Sequence, residues 1–373
     1  MTRRIHILGI GTAVPAASMT QDTAAALANG FGCFNAKQQR LMKVLYRRAG
    51  VKERASVLLN PSEARSTGSR QNFFPDARNR KDRGPTTRER LKRYMQEAPP
   101  LAAASAIRAL EDAQLPPAAI THVVTVSCTG FMAPGVDIRL SKLLGLRPDV
   151  ERTNVGFMGC HGALNGLRVA TALASSQAGA RVLLCAVELC SLHVRYGWDE
   201  EGLVANALFA DGAAACIVGA PSAVGAASSR SADALRVRGT GAFIIPDSEA
   251  MMSWQIGNHG FEMRLDASVP SLIANHLRPW LVRWLASNGL TLGTVGSWAL
   301  HPGGPRILAG VLSGLGLPER SADISRAVLA EHGNMSSPTV LFILERFRRL
   351  GAPRPYVSLA FGPGLAAEAA LIE

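Results

Sequence analysis

Three short stretches carry side chains suited to nucleophilic acyl chemistry: "NVGFMGCHGALNGLRVA" (154–170), "ALHPGGP" (299–305) and "HGNMSSPTVLF" (332–342). In the first, Cys160 follows a strand-like run and precedes a helical pattern, which puts its sulfur at a helix N-terminus. Unpaired N–H groups and the positive end of the helix dipole favour the thiolate there, and the thiolate is the nucleophile. Gly159 and Gly162 permit the tight turn. A lone cysteine also reads as a small buried hydrophobe. His301 ends an apolar strand before a Pro-Gly-Gly turn, a place where α/β sheets present functional groups; a hydrogen-bonded structural histidine fits equally. Asn334 follows a glycine and precedes a helix whose first turn carries Ser336, Ser337 and Pro338, so it also reads as a cap.

Taken together the three residues form a usable set. A thiolate nucleophile needs a basic or cationic neighbour, and an enolate or oxyanion needs convergent donors. An Asn amide and a His Nε2–H can point at one carbonyl oxygen and stabilise the charge that develops as a β-keto carboxylate loses carbon dioxide. Removing one such donor costs about 3 kcal/mol.

The elements that must position these residues follow from period and punctuation. "RIHILGIG" reads as a buried strand, followed by helical stretches around 22–48 and 88–114. "HVVTVSCTG", "TNVGFMGC", "RVLLCAVEL" and "AAACIVG" read as strands, with "IRLSKLLGL" and "HGALNGLRVATALASSQ" as helices. A small-residue stretch at 220–234 is the expected boundary between halves 1–222 and 235–373. The second half repeats this alternation, with strands "LRVRGTGAFII", "TVGSWALHPGG" and "PYVSLAFGPG" and helices "PSLIANHLRPWLVRWLASNG", "GPRILAGVLSGLG" and "SPTVLFILERFRRLG". Strands alternating with helices predict buried sheets covered by helices, an α/β fold with an internal pseudo-repeat.

Composition narrows the classes. With 373 residues, 47% hydrophobic and 18% charged, the chain can bury a large core. No uncharged apolar run reaches about 18 residues, and the N-terminal apolar segment is short for a signal peptide, so no membrane association and a cytoplasmic location are expected. The six cysteines show neither a CxxC pair nor zinc spacing, which argues against disulfides and structural metal. The net charge of +12 gathers partly in 65–93, a polar stretch that reads as a solvated loop leading into a helix. No nucleic-acid-binding pattern accompanies it, so small anionic metabolites are the expected partners and nucleic acid is not. "GIGTAVP" and "GTGAF" lack a GxGxxG followed by an acidic residue at the interval a dinucleotide site needs, and no cofactor is expected.

"HPGGPRIL", "GNMSSPTVLFILE", "LFADGAAACIVG" and "AFGPG" resemble, in order and spacing, the signatures of the type III polyketide synthases, the chalcone and stilbene synthase family of the thiolase superfamily. The resemblance spans nearly the whole chain. It implies a five-layered αβαβα thiolase-like fold, a homodimer, and a triad on Cys160, His301 and Asn334. On that reading Cys160 takes an acyl group from an acyl-CoA starter, while His301 and Asn334 bind malonyl-CoA and promote its decarboxylation through repeated rounds. It also implies a gating aromatic at Phe209, with Met263 where a second aromatic is usual, and a CoA tunnel whose cations match best at Lys52, Arg54 and Arg306. Pocket-lining positions fall on Cys128, Thr129, Cys190, Leu192, His193 and Ser336, and on Trp254 where plant members have glycine. These look more like bacterial members, so alkyl or malonyl starters are expected over coumaroyl.

The nearest alternative is a single-round β-ketoacyl carrier-protein synthase III, which shares the fold and residue set; the basic surface would then bind an acidic carrier. A hydroxymethylglutaryl-CoA synthase needs a further catalytic glutamate with no matching motif. A non-catalytic scaffold would have lost part of the triad, and all three residues are present.

Overall fold

The computed structural model describes residues 3–60, 71–221 and 234–373. Its first elements are β1 (His6–Ala13), β2 (Ser18–Thr20), α1 (Gln21–Gly32), α2 (Ala36–Arg48), β3 (Glu53–Ala55) and α3 (Thr87–Ala113). There follow β4 (His122–Ser127), α4 (Val136–Leu144), β5 (Glu151–Gly156), α5 (Gly162–Ser176), β6 (Arg181–Leu189), α6 (Glu200–Leu208) and β7 (Asp211–Gly219). The later part holds β8 (Leu235–Ile244), β9 (Met252–Gly257), β10 (Gly260–Leu265), α7 (Val269–Ser287), β11 (Ser297–Leu300) and α8 (Pro305–Leu315). It closes with α9 (Asp323–His332), α10 (Thr339–Leu350), β12 (Tyr356–Gly362) and β13 (Ala366–Ile372).

Strand periodicity sorts the core into layers. Along β6, Val182, Leu184 and Ala186 enter one apolar cluster, while Leu183, Cys185 and Val187 enter another. Along β12, Tyr356 and Ala360 share the first cluster, and Val357, Leu359 and Phe361 belong to a third. The shared cluster is filled by Leu164 and Leu167 of α5 and by Leu341 and Leu344 of α10. Helices α1, α2 and α3 cover the outer face of the first sheet region, and α7 and α8 cover that of the second. The stack is therefore helix, sheet, helix, sheet, helix. Strands buried on both faces must be apolar throughout, which is why they read as continuous runs.

The hydrogen-bonded order is β11-β12-β13-β8-β1-β7-β6-β4-β5. β4 runs parallel to β6, which is antiparallel to β7, which is antiparallel to β1. β11, β12, β13 and β8 repeat that sequence of senses. Among the described residues the two regions meet where β1 pairs with β8 at His6–Arg236 and Ile7–Leu235, with Val237 N donating to Ile5 O (2.9 Å) beside them.

Several elements escaped the sequence reading. The helical stretch 22–48 breaks into two, because Asn35 caps α2 by accepting from Gln38 N (2.9 Å). The β9–β10 ribbon is half exposed and polar along one face, α6 and α9 are short, and alanine-rich β13 contradicts its own helix propensity because it is paired on both sides. Most of the expected boundary, residues 222–233, lies outside the described residues, as do 65–70 of the basic stretch. Within the rest of that stretch, Arg90 on α3 is not solvated. It is fully buried, donating to the carbonyls of Pro85 (2.9 Å), Leu192 (2.8 Å) and Val194 (2.9 Å), with its guanidinium 5.1 Å from the Phe74 ring centre.

Candidate active site

Cys160 lies in a single 3-10 turn, Gly159–His161, between β5 and α5. Gly159 has φ +65° and packs so closely on Pro363 that a Cβ would overlap its ring, so only glycine allows the turn. The sulfur is at the N-terminal end of α5, as expected, yet the expected acidic thiol is not found. Burial pushes the Cys160 thiol up to about 11; Ser336 and Asn334 pull it back only in part, and the Glu188 carboxylate pushes it further up. Desolvation of the anion outweighs the helix terminus.

Asn334 follows Gly333 at the end of α9. Its backbone is stitched to the segment after α6: Asn334 N donates to Leu208 O (2.9 Å) and Ala210 N donates to Asn334 O (2.9 Å). Its side-chain Oδ1 accepts from Ser336 N (2.8 Å), which leaves the amide nitrogen for the sulfur. Ser336 has φ +58° and its Oγ lies 3.5 Å from Cys128 Sγ; helix α10 begins only at Thr339. A left-handed serine against the nucleophile is the kind of local strain that a surrounding fold must hold in place.

His301 arrives from the other half. It follows β11, and its N–H donates to Leu359 O (2.8 Å) of β12. β12 ends at Gly362, which packs on the His161 ring beside Cys160. His301 is buried, and neither ring nitrogen has a hydrogen-bond partner among the described residues. Burial first, then the neighbouring His161, lowers its pKa to about 3. The imidazole is therefore neutral at neutral pH, with one donor and one acceptor uncommitted.

Cys160 and Ser336 open onto one largely apolar cavity, whose walls include Cys128, Thr129, Cys190, His193, Phe209, Trp254 and Met263. His301 and Asn334 are almost fully buried and are not among the lining residues. Leu192 does not line it. The 3-10 turn at Cys190–His193 points Leu192 into the outer core, where it is 0% exposed.

His193 is committed on both nitrogens: Nε2 donates to Thr129 O (2.6 Å) and Nδ1 accepts from Phe261 N (2.9 Å). It stacks on Phe261 at 4.2 Å, and burial lowers its pKa to about 3. Trp254 Nε1 donates to Cys128 O (2.6 Å). The two N–H groups of the same turn, Cys128 N (3.0 Å) and Thr129 N (3.0 Å), donate to the Glu188 carboxylate. That carboxylate also accepts from Thr129 Oγ1 (2.6 Å) and Ser337 Oγ (2.7 Å). All four main-chain polar groups of the Cys128–Thr129 turn are thus clamped. Sequence reasoning passed over Glu188 and Phe261; the signal for the first was a lone carboxylate inside the apolar run "RVLLCAVEL".

The expected CoA cations divide. Lys52 and Arg306 are exposed, and Arg306 Nη2 donates to Ala267 O (3.1 Å). Arg54 lies along the cavity but offers no free cation. The β2–β3 ribbon tucks it beneath the end of α6, where it is 5% exposed and its terminal nitrogens are spent on oxygens of the chain itself. A cation matched from sequence to the CoA tunnel is here a buried donor to the chain's own oxygens. Among the described residues no helix is long and apolar enough to cross a membrane, and no group of His, Cys, Asp or Glu side chains has the arrangement to hold a metal ion.

The family model for the chalcone and stilbene synthase N-terminal domain matches residues 2–222, and that for the C-terminal domain matches 237–373. A 1,3,6,8-tetrahydroxynaphthalene synthase of Streptomyces peucetius is 40% identical over 268 residues, 71% of this chain and 70% of that protein. Pks18 of Mycobacterium tuberculosis, described as α-pyrone synthesis polyketide synthase-like, is 32% identical over 292 residues, 77% of this chain and 74% of that one. Among solved structures, PKS-I of the brown alga Ectocarpus siliculosus superposes with a TM-score of 0.89 at 30% identity, covering 100% of this chain and 99% of that one. The C-terminal type III domain of Steely1 from Dictyostelium gives 0.86 at 28% identity, covering 99% of each chain. The single-round alternative finds no support among these relatives. The family matches, the layered fold they share and the cavity built around Cys160 agree: the chain belongs to the chalcone and stilbene synthase family and is a type III polyketide synthase, an acyltransferase of thiolase-like fold.

Proposed function

We propose that the protein builds a short polyketide by repeated decarboxylative condensation of malonyl-CoA onto an acyl-CoA starter held on Cys160, then releases a pyrone, a resorcinol or a related ring. The observation that carries this is one apolar cavity holding a thiol, with Asn334 against the sulfur and a neutral, uncommitted imidazole, His301, brought to the same end of the sheet. The Cys160 sulfur attacks the starter thioester, its proton passes by way of His301 to the departing sulfur, and CoA leaves as the thiol. Malonyl-CoA then loses carbon dioxide; His301 Nε2–H and the Asn334 amide donate to the resulting enolate oxygen. The enolate carbon attacks the acyl carbon and expels the Cys160 thiolate, giving a β-ketoacyl-CoA that returns to the sulfur for the next round. Apolar walls keep water from the acyl enzyme and strengthen every such interaction.

In this reading halves 1–222 and 235–373 are two thiolase-like units, one carrying the nucleophile and the other His301 and Asn334; the repeated strand senses support it. Cys128, Thr129, Cys190, Phe209, Trp254 and Met263 shape the growing chain, and His193 holds that wall rather than exchanging protons. Lys52 and Arg306 contact the CoA phosphates, which the KM for malonyl-CoA of K52A/R306A would read. The working unit is a homodimer: among the described residues β5 leaves a sheet edge unpaired, and Phe131, against Phe157 just beyond it, and Met132 are exposed. Sedimentation equilibrium reads that directly. Soluble CoA thioesters as substrates point to the cytoplasm.

The test is a panel of acyl-CoA starters of increasing length with malonyl-CoA. Carbon dioxide and CoA should be released in more than one equivalent per product. Cys160→Ala should lose the acyl adduct on the intact protein, Asn334→Ala should load but fail to decarboxylate malonyl-CoA, and His301→Gln should both load slowly, lacking the acceptor for the thiol proton, and fail to decarboxylate. One extension per product from every starter, or an undiminished rate in Cys160→Ala, would overturn the proposal.

A further inference from the structure

A buried arginine needs acceptors for its fork of donors, and those of Arg54 are informative. Nη1 donates to Asn206 O (2.8 Å) and Phe209 O (2.9 Å), and Nη2 to Ala207 O and Gln21 Oε1. Gln21 Nε2 in turn donates to Ala207 O (2.9 Å) and Tyr46 O (2.9 Å), and the guanidinium lies 5.5 Å from the Tyr46 ring centre. Among the described residues no carboxylate is a direct partner, and buried Asp211 acts on the guanidinium only through its charge. Three of the acceptors are the carbonyls that close α6 and the residue after it. Such carbonyls lack helical partners, and a cation there also meets the negative end of the helix dipole.

The same segment has two other attachments. Phe209 sends its side chain into the cavity, and Leu208 and Ala210 carry the two backbone hydrogen bonds to Asn334. Residues 206–210 are therefore gripped by Arg54 on one side and grip Asn334 on the other. Cys160 hangs from different elements, the turn wedged on Pro363 and the start of α5.

We propose that Arg54 is a positioning residue: through the last carbonyls of α6 it fixes Phe209 and Asn334 with respect to a nucleophile that it does not itself hold. The proposal rests on the catalytic reading of Asn334 given above. A neutral replacement leaves three carbonyls short of a donor and lets the segment shift, and an error of about 1 Å at a donor can cost about 100-fold in rate. The two half-reactions then respond differently, because loading needs Cys160 whereas decarboxylation needs Asn334.

The experiment measures both in wild type, Arg54→Met and Arg54→Lys: acyl transfer to the protein from a starter by intact mass, and carbon dioxide release from malonyl-CoA. In Arg54→Met, loading should stay within about threefold of wild type, showing a folded protein, while decarboxylation falls about 10- to 100-fold. Arg54→Lys should recover part of the loss, since one ammonium can serve some of the carbonyls but not the fork. Should Arg54→Met fail to fold, Gln21→Leu, which removes one acceptor of the fork and one brace on Ala207, should show the same split at smaller amplitude. Equal loss of both half-reactions, or no loss of either, overturns the proposal. A wild type that neither loads nor decarboxylates would instead overturn the catalytic reading and leave the role of Arg54 without its premise.

Discussion

Cys160 shows how far a residue's chemistry departs from its address in the chain. A helix N-terminus argues for an anion, but the sulfur lies in an apolar chamber, and the thiol is held near 11 while His301 is held near 3. Both partners of the pair are therefore neutral at rest, and proton transfer between them belongs to the acylation step. Below its pKa a thiol's anionic fraction rises tenfold per pH unit. Alkylation of Cys160 by iodoacetamide, followed on its own peptide by mass spectrometry, should accelerate steadily from pH 7 to pH 10 without levelling. A plateau reached below pH 8 would show a thiolate already paired with an imidazolium and would refute the neutral resting pair.

At the scale of elements, what was legible was what repeats. Strands buried on both faces announce themselves as "RVLLCAVEL" or "PYVSLAFG"; Cys160 and His301 follow strands and Asn334 follows a helix, each in a turn where glycine or proline made it conspicuous. What stayed hidden depends on partners distant in sequence. Leu192 points away from the cavity because its turn feeds its carbonyl to Arg90, 102 residues earlier. The β9–β10 ribbon has no continuous apolar signature, since one face is the cavity wall and the other is solvent. Charge misled most: Arg54 read as a CoA cation and Arg90 as part of a solvated stretch, and both are buried, each meeting backbone carbonyls that sequence cannot place. Arg90 ties α3 to the turn that carries His193, and burial lowers its pKa to about 10, so it remains charged at neutral pH. Replacing it with methionine strands three carbonyls and should cost about 3 kcal/mol or more in urea unfolding. A loss under about 1 kcal/mol would mean water serves those carbonyls as well as the guanidinium does.

For the molecule as a whole, a dry chamber has a consequence for its stability in acid. His301 has a pKa near 6.5 when unfolded and about 3 when folded, so between those values the unfolded chain binds the extra proton. Stability therefore rises with pH across that window and is lost as pH falls from about 6.5 toward 3. From pH 7 to pH 5 the loss for one such histidine is about 2 kcal/mol. His193 acts in the same direction, while buried Glu188 and Asp211, whose pKa values are raised by burial, act in the opposite one. Comparing two proteins isolates the histidine from those opposing carboxylates. His301→Gln breaks no hydrogen bond, because neither ring nitrogen makes one among the described residues. Urea unfolding at pH 7 and pH 5 should show the wild type losing about 2 kcal/mol more than H301Q on acidification. Parallel losses in the two proteins would mean that protons and water enter the chamber freely in the folded state, and with them would go the dry surroundings on which the proposed handling of an enolate depends.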